Sequence, residues 1–337
     1  GVIQNVTDRK QMESSLKQAA TVFEATPDGI VILNSEARII NCNSSFTTTT
    51  GYSLADLLEK TPDFFTAETK SDHFLQKIAI SQHKGSSWRN ELNLQKKDGG
   101  IFPALVSIAA ANGQTSEQNP SQHISHYVMV ITDLSTIRSA EKKLQYLAHY
   151  DPLTNSPNRL LTLERLTQAL LRGKRHQERV AVLFIDLDRF KWINDTLGHD
   201  VGDTVLKEVT RRMQGCLRAD DTLGRLGGDE FLAVLDPVEN EQAAAIVANK
   251  LANVVAAPIA LGSQTIEISC SIGVSFFPDD GDQSDALVRA ADTAMYSAKE
   301  RGRNCYEFFT PMMLTKAMRF MALNHDLHRG FKAGELC

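Results

Sequence analysis

Asp221-Thr222-Leu223-Gly224-Arg225-Leu226-Gly227-Gly228-Asp229-Glu230-Phe231 puts two carboxylates directly after two glycines at a strand-to-strand turn. Leu223 and Leu226 before the glycine pair, and Phe231-Leu232-Ala233-Val234-Leu235 after it, read as two strands, so Gly227 and Gly228 fall where a hairpin reverses. Glycine there reaches positive φ at little cost. Without a Cβ it also lets a phosphate or base come close to the backbone. Asp229 and Glu230 then begin the returning strand on opposite faces, so one points at a given metal while the other serves a second ion or a proton. Taken alone, such a string is more often a Gly-Gly hairpin with two solvated acids, and the surrounding chain decides against that.

Upstream, a helix over Asn158 to Arg172 precedes the apolar run Val180 to Ile185, which continues through Asp186-Leu187-Asp188. A continuous apolar run is the pattern of a central strand covered on both faces, and carboxylates at its carboxyl end sit where α/β sheets expose their sites. Asp186 and Asp188 share one side of that strand and, with the two acids of the hairpin, make four hard oxygen donors suited to Mg²⁺ carrying phosphates. Phe190-Lys191-Trp192-Ile193-Asn194-Asp195 and Gly198-His199-Asp200-Val201-Gly202-Asp203 follow, opening a helix to about Leu217. Asn194 and Asp203 could read a guanine edge, the carboxylate accepting from N1 and N2. As single residues they could equally be helix caps.

The bulk composition narrows the class. The chain has 337 residues, 42% hydrophobic and 23% charged, enough for two domains with full cores. A net charge of −5 supplies no basic field for nucleic acid. Five cysteines, Cys42, Cys216, Cys270, Cys305 and Cys337, show no C-x-x-C pairing, which argues against a disulfide framework or thiolate zinc site and for a reducing, cytoplasmic setting. No apolar run reaches the roughly 18 to 20 residues of a membrane helix, so no membrane contact is expected within this stretch.

An internal repeat sets the boundaries. Gly1 to Leu16 matches Met129 to Leu144 at constant offset, pairing Val2 with Val130, Ile3 with Ile131, Glu13 with Glu141 and Leu16 with Leu144. Each copy reads as a strand end running into a charged helix, so residues 1–21 are expected to be the tail of a preceding domain. Between the copies, strands are expected at Gly29 to Leu33, Arg38 to Asn43, Ser87 to Leu94, Phe102 to Ala111 and His126 to Ile131. Lys97-Asp98-Gly99-Gly100 turns a hairpin, and Asn112 to Gln122 reads as a long surface loop. TPDGIVILNSEARIINCNSSF, GYSLADLL and WRNELNLQKKDGGIFPALVSI resemble a PAS sensory domain, an antiparallel sheet with helices, over residues 22–134. Its ligand is unknown. His73 invites a haem and Trp88 a flavin, but a surface histidine and a core tryptophan are the plainer readings. Gly302-Arg303-Asn304-Cys305 looks like the light-sensing cysteine motif but stands in the other domain, a false match.

Ile137, Ala140, Leu144 and Leu147 form a short a/d stripe over 135–150. It fits an amphipathic helix packed on its own domain, or a linker helix through which a homodimer passes a PAS signal onward.

Residues 151–309 resemble the GGDEF family of diguanylate cyclases. The resemblance runs through Asp151-Pro152-Leu153-Thr154, Pro157-Asn158-Arg159, Phe184 to Asp188, Phe190-Lys191, Ile193-Asn194-Asp195, Gly198-His199, Gly202-Asp203, Arg225 to Phe231, Ser271-Ile272-Gly273-Val274 and Ala298-Lys299 to Asn304. Asn155-Ser156 stands where the family usually has Gly-Leu, a departure at a turn. The resemblance implies an α+β chain whose C-terminal half is a palm-like, mostly antiparallel sheet flanked by helices. It also implies condensation of two GTP, one on each protomer of a dimer, into cyclic di-GMP and two pyrophosphates. Carried over, Asp186, the Leu187 carbonyl, Asp229 and Glu230 would hold Mg²⁺ or Mn²⁺, and Glu230, Asp229 and Lys191 form the catalytic set. Asn194, Asp203, Phe190, His199, Gly227, Gly228, Lys299 and Arg303 would bind GTP. Arg218 and Asp221 match the family's RxxD product-inhibition site, although an isolated pair of this kind is also a common surface ion pair. Residues 310–337 resemble the lead-in to an EAL phosphodiesterase domain and lack its catalytic residues. Two further readings compete with an active cyclase: a GTP-binding module that tunes a downstream phosphodiesterase, and an effector that binds cyclic di-GMP without turnover.

Overall fold

The computed structural model describes residues 2–65, 88–112, 124–262 and 264–316. The chain divides into two compact units, Gly1–Lys142 and Lys143–Cys337. The polar stretch 113–123, His73 and the EAL-like residues from 317 onward lie outside the described residues.

The first unit begins with helix α1 (Val2–Ala25), so Val2 and Ile3 are helical and not the strand end that the repeat suggested. A strand end needs a neighbour to satisfy its N–H and C=O groups, whereas a helix satisfies them within the segment. Strands β1 (Gly29–Asn34), β2 (Ile39–Cys42), β3 (Trp88–Gln95), β4 (Ile101–Asn112) and β5 (Ile124–Asp133) form one antiparallel sheet in the order β2-β1-β5-β4-β3. Alternate residues Val31 and Leu33 of β1 face a core shared with Phe46, Val106, Ile108, Met129 and Ile131, the period of two expected of a half-covered sheet. Trp88 packs against that core, the plainer of its two sequence readings. Asn43 is fully buried yet satisfied: its Oδ1 accepts from Ile30 and Phe46, and its Nδ2 donates to the carbonyls of Phe23 and Asp28. The amide thereby ties the end of α1 to the first strand and to helix α2 (Ser44–Thr50), which it caps. The short helix α3 (Leu54–Leu57) opens on a capping box between Ser53 and Asp56. Helix α4 (Ser135–His149) carries the expected stripe with Ile137, Leu144 and Leu147 exposed.

In the second unit β6 (Arg179–Leu187) is the central strand of the order β12-β11-β6-β8-β7. It runs antiparallel to β8 (Glu230–Val238) and β11 (Cys270–Phe277), with β7 (Thr222–Gly227) outside β8 and β12 (Tyr306–Phe308) parallel to β11. The apolar run of β6 is explained by its two covered faces. Ala181, Leu183, Ile185 and Leu187 join a core with Val205, Val209 and Met213 of α7 (His199–Gln214) and Ala248 and Leu251 of α8 (Glu241–Ala256). Val180, Val182 and Phe184 meet Leu166 and Leu170 of α5 (Arg159–His176) and Leu287, Ala291 and Met295 of α9 (Ser284–Glu300). Burial of such side chains contributes about 1.5 to 3 kcal/mol each, which makes this strand the anchor of the site. Helix α6 (Phe190–Leu197) leaves its carboxyl end, and a small hairpin of β9 (Ile259–Leu261) and β10 (Gln264–Ile266) precedes β11.

The departure at Asn155-Ser156 has a local cause. Asn155 is left-handed at φ 57, a conformation asparagine tolerates better than most side chains, so it fills the place of a turn glycine. Ser156 is buried and shares a 2.7 Å hydrogen bond with the Thr154 hydroxyl.

Candidate functional site

The register of β6 with β8 sets Asp186 directly against Glu230, and that of β6 with β11 sets it against Ser271. Between β7 and β8 the turn carries Gly227 at φ 149 and Gly228 at φ 55, both exposed with open space where a Cβ would stand. The turn is held to the central strand by the Leu187 N–H, which donates to the Asp229 carbonyl at 3.2 Å. Asp186, Asp229 and Glu230 therefore meet at one corner of the sheet. Lys299 of α9 reaches the same corner, its Nζ 2.7 Å from Asp186 Oδ1.

The electrostatics of that corner are unfavourable to its own anions. Burial pushes the Asp186 carboxyl above the usual carboxylate range, Lys299 pulls it down, and Asp229 and Asp188 push it up further. Burial likewise raises Glu230, with Asp186, Asp292 and Asp229 adding to it and Lys299 opposing. Negative charge thus exceeds what one lysine neutralises, which favours a further cation. Among the described residues no three His, Cys, Asp or Glu side chains converge into a ready-made metal cage.

Asp188 departs from its reading as a fourth oxygen donor. Its carboxylate accepts from the Ser269 and Ser271 hydroxyls at 2.6 and 2.7 Å and from the Asn304 N–H at 3.2 Å, with Arg303 Nε at 4.0 Å. Those bonds pin the loop after α9 to the end of the central strand, and they commit the side chain to structure. Phe190 is buried in the core, so a ligand at that position would meet its backbone. Lys191 and His199 are exposed.

Asn194 and Asp203 stand on neighbouring helices, and neither is a side-chain cap: Gly198 occupies the junction between α6 and α7. A Cβ on Gly202 would lie 1.8 Å from Asn194 Oδ1, so the glycine is what admits the amide at its observed place.

The residue that sequence reasoning missed is Arg225. Its Nε and Nη2 donate to the Gly228 carbonyl at 2.9 and 2.7 Å, while Nη1 reaches both oxygens of Asp151 at 3.0 and 3.2 Å. Burial raises the Asp151 carboxyl, but the Thr154 and Arg225 hydrogen bonds outweigh it and hold it below the usual range. A planar guanidinium satisfies two partners at fixed angles, and here it locks the glycine turn to the start of the unit. The signal was present: an arginine within an apolar strand must find a partner when it is buried.

Two family models match the chain, one described as "Diguanylate cyclase, GGDEF domain" over residues 148–305 and one as "PAS domain" over residues 27–136. The chain belongs to the GGDEF family. Its GGDEF domain follows a PAS domain, and the mixed α+β architecture anticipated for both halves is the one observed. The bifunctional diguanylate cyclase/cyclic di-GMP phosphodiesterase MucR of Pseudomonas aeruginosa is 41% identical over 202 residues, 60% of this chain and 29% of MucR. An uncharacterized signaling protein of Caulobacter vibrioides is 34% identical over 99% of this chain and 39% of its own length. The crystal structure of the GGDEF domain of TpbB from Pseudomonas aeruginosa shares 42% identity, covering 47% of this chain and 98% of that one, with a TM-score of 0.46. The chain thus spans 29% and 39% of the two curated relatives named. No helix among the described residues is long and apolar enough to cross a membrane.

Within the GGDEF domain, Arg218 and Asp221 lie apart from the carboxylate corner, before the other end of β7 from Gly227. Asp221 Oδ2 accepts from the Arg218 N–H at 2.9 Å, and both residues line a small pocket of about 80 Å³ together with Leu235, Pro237 and Val238.

Proposed function

We propose that this GGDEF domain condenses two GTP into cyclic di-GMP, releasing two pyrophosphates. The observation that carries the reading is the corner itself: Asp186 and Glu230 in register, Asp229 on an open glycine turn, and a cation from α9 among them. The donor set fits a magnesium or manganese ion. Mg²⁺ is held by one or two carboxylates plus substrate phosphates, so a corner without a complete protein cage but with surplus negative charge suits it. Asp186, Asp229 and the Leu187 carbonyl would hold the ion, which when bound absorbs charge developing on the phosphate oxygens.

The chain's own groups supply the rest. Gly227 and Gly228 let phosphate oxygens approach the backbone. Glu230, with its pKa raised, is suited to accept the proton of the attacking 3′-hydroxyl or to serve a second ion. Lys299 and Arg303 would grip the phosphates, Lys299 giving up its Asp186 contact to do so. Asn194 and Asp203 bind the guanine edge. In-line displacement needs positioning and charge stabilisation more than covalent help, and this is what these groups provide. Because each GTP would sit on one protomer, turnover requires a homodimer. The exposed stripe of α4 is the surface for it and for control by the PAS domain. Cyclic di-GMP held at Arg218 and Asp221 would provide product inhibition.

The test is incubation of the chain with GTP and Mg²⁺ and chromatography of the nucleotides, beside Asp229→Ala and Arg218→Ala. Cyclic di-GMP formed by the parent or by Arg218→Ala, and absent with Asp229→Ala, is the expected outcome. GTP binding without product in every variant would instead favour a regulatory GTP-binding module, and binding of cyclic di-GMP alone an effector.

A further inference from the structure

The GGDEF domain carries a second cleft, of about 610 Å³, whose walls include none of Asp229, Glu230, Asn194 or Asp203. Its chemistry is that of a ligand site. Arg189 and Arg303 line it together with Trp192, Glu267 and Ser269. Trp192 is 63% exposed, a large apolar area for a side chain that the core does not use. The side chains of Arg189 and Glu267 make no hydrogen bond or ion pair among the described residues.

The backbone marks the same place. Of the seven non-glycine residues with positive φ among the described residues, Arg189, Arg303 and Asn304 all line this cleft. Left-handed side-chain-bearing residues are uncommon, and their clustering is characteristic of ligand clamps. The cleft is also separate from the guanine-reading pair. Trp192 and Asn194 are two residues apart on α6, about 200° around the helix, so Trp192 looks away from the Gly202 side where Asn194 rests.

Size and charge select the ligand. A bare phosphate would leave most of the volume empty, whereas a nucleotide is of the size such clefts hold. The Asp188 carboxylate in the wall is taken up by Ser269, Ser271 and Asn304, so two guanidiniums and the one unengaged carboxylate, Glu267, beside an aromatic face ask for a dipolar, flat ligand with a phosphate at one end and N–H donors at the other. Adenine offers a carboxylate fewer donors on one edge than guanine, whose N1 and N2 both donate.

We propose that this cleft is a second guanine-nucleotide site, in which Trp192 stacks on the base, Glu267 accepts from N1–H and N2–H, and Arg189 with Arg303 takes the phosphate. The inference rests on the proposed function only for the role of Arg303, which serves both sites. Occupancy of the cleft therefore competes with the triphosphate grip, and each site weakens the other.

The experiment uses the whole chain with Trp88→Phe, which leaves Trp192 as the single tryptophan of the original two. GMP, IMP and AMP are titrated without metal while Trp192 fluorescence is followed. Saturable quenching is expected, with GMP about fivefold tighter than IMP or AMP, a difference that Glu267→Gln erases. Arg189→Ala weakens GMP roughly tenfold. Asn194→Ala combined with Asp203→Ala leaves the quenching in place. Quenching unchanged by Arg189→Ala, indifferent to the base, or lost with the Asn194 and Asp203 substitutions overturns the proposal. GTP turnover is scored in parallel: a chain that makes cyclic di-GMP but fails the titration has lost only the second site. A chain that makes none but shows Arg189-dependent, guanine-selective quenching keeps the second site without the cyclase.

Discussion

Asp186 ties the proposed activity to stability through one carboxyl group. Its carboxyl is raised by burial and by neighbouring acids, yet it must be ionised to hold a cation. The acid limb of activity should therefore sit above the ordinary carboxylate range, and added Mg²⁺ should move it to lower pH, because metal and protons compete for the same oxygens. Rates against pH at two Mg²⁺ concentrations check this; a limb insensitive to the metal would contradict it. Although Lys299 pairs with it, burial outweighs that pairing, and for stability the sign is opposite to that of an acid whose pKa is lowered. The fold binds the Asp186 proton more tightly than the unfolded chain does, so stability is lost as pH rises from the ordinary carboxylate pKa through the raised folded value. Asp186→Asn should consequently raise the melting temperature at neutral pH while abolishing turnover, and a lower melting temperature would count against the site being strained by its own charge. Arg225 acts at the same scale through packing. Arg225→Ala strips the Gly228 carbonyl of two donors and leaves the half-buried Asp151 unpaired, at a cost of about 3 to 5 kcal/mol in denaturant unfolding. Arg225→Lys keeps a charge for Asp151 but not the planar fork, so it should restore much of the stability and little of the activity.

Two glycines separate what an element does for the fold from what it does for the site. A Cβ on Gly273 would stand 1.9 Å from the Ala291 carbonyl and 2.1 Å from the Met295 nitrogen, so β11 and α9 must part to accept it. Gly273→Ala should destabilise by about 3 kcal/mol through overpacking against backbone. The same substitution at Gly202 meets the end of the Asn194 side chain, which can swing aside. Gly202→Ala should leave the melting temperature nearly unchanged and raise the KM for GTP roughly tenfold, by displacing the group proposed to read guanine. Melting curves and steady-state kinetics on the two variants check both halves; equal destabilisation would remove the special place given to Asn194. Much at this scale was legible in the residues. The uninterrupted apolar run at Val180 to Ile185 is a strand covered on two faces, and Gly227-Gly228 is a hairpin turn at positive φ. Both follow from local pattern, which is why they could be read. The helical state of Val2 and Ile3 could not, because the repeat transferred a strand from Val130 and Ile131 without the neighbours that pair with them.

At the scale of the whole molecule, what escaped the sequence was partnership across long separations. Asp188 looked like a metal donor until Ser269, Ser271 and Asn304 were found on its oxygens, and Lys299 looked free for phosphate until it was found on Asp186. Arg225 joins Asp151 across 74 positions, a distance no periodicity reveals. Two units with separate cores, matched by a PAS model and a GGDEF model, place a PAS domain before a GGDEF domain in a single chain. If the corner of Asp186, Asp229 and Glu230 directs condensation and not hydrolysis, the stoichiometry of its products will show it. With GTP and Mg²⁺ the chain, or its Arg218→Ala variant, should release about two pyrophosphates for each cyclic di-GMP formed, and Asp186→Asn should release neither. Inorganic phosphate and GDP in place of pyrophosphate, or undiminished product from Asp186→Asn, would contradict it.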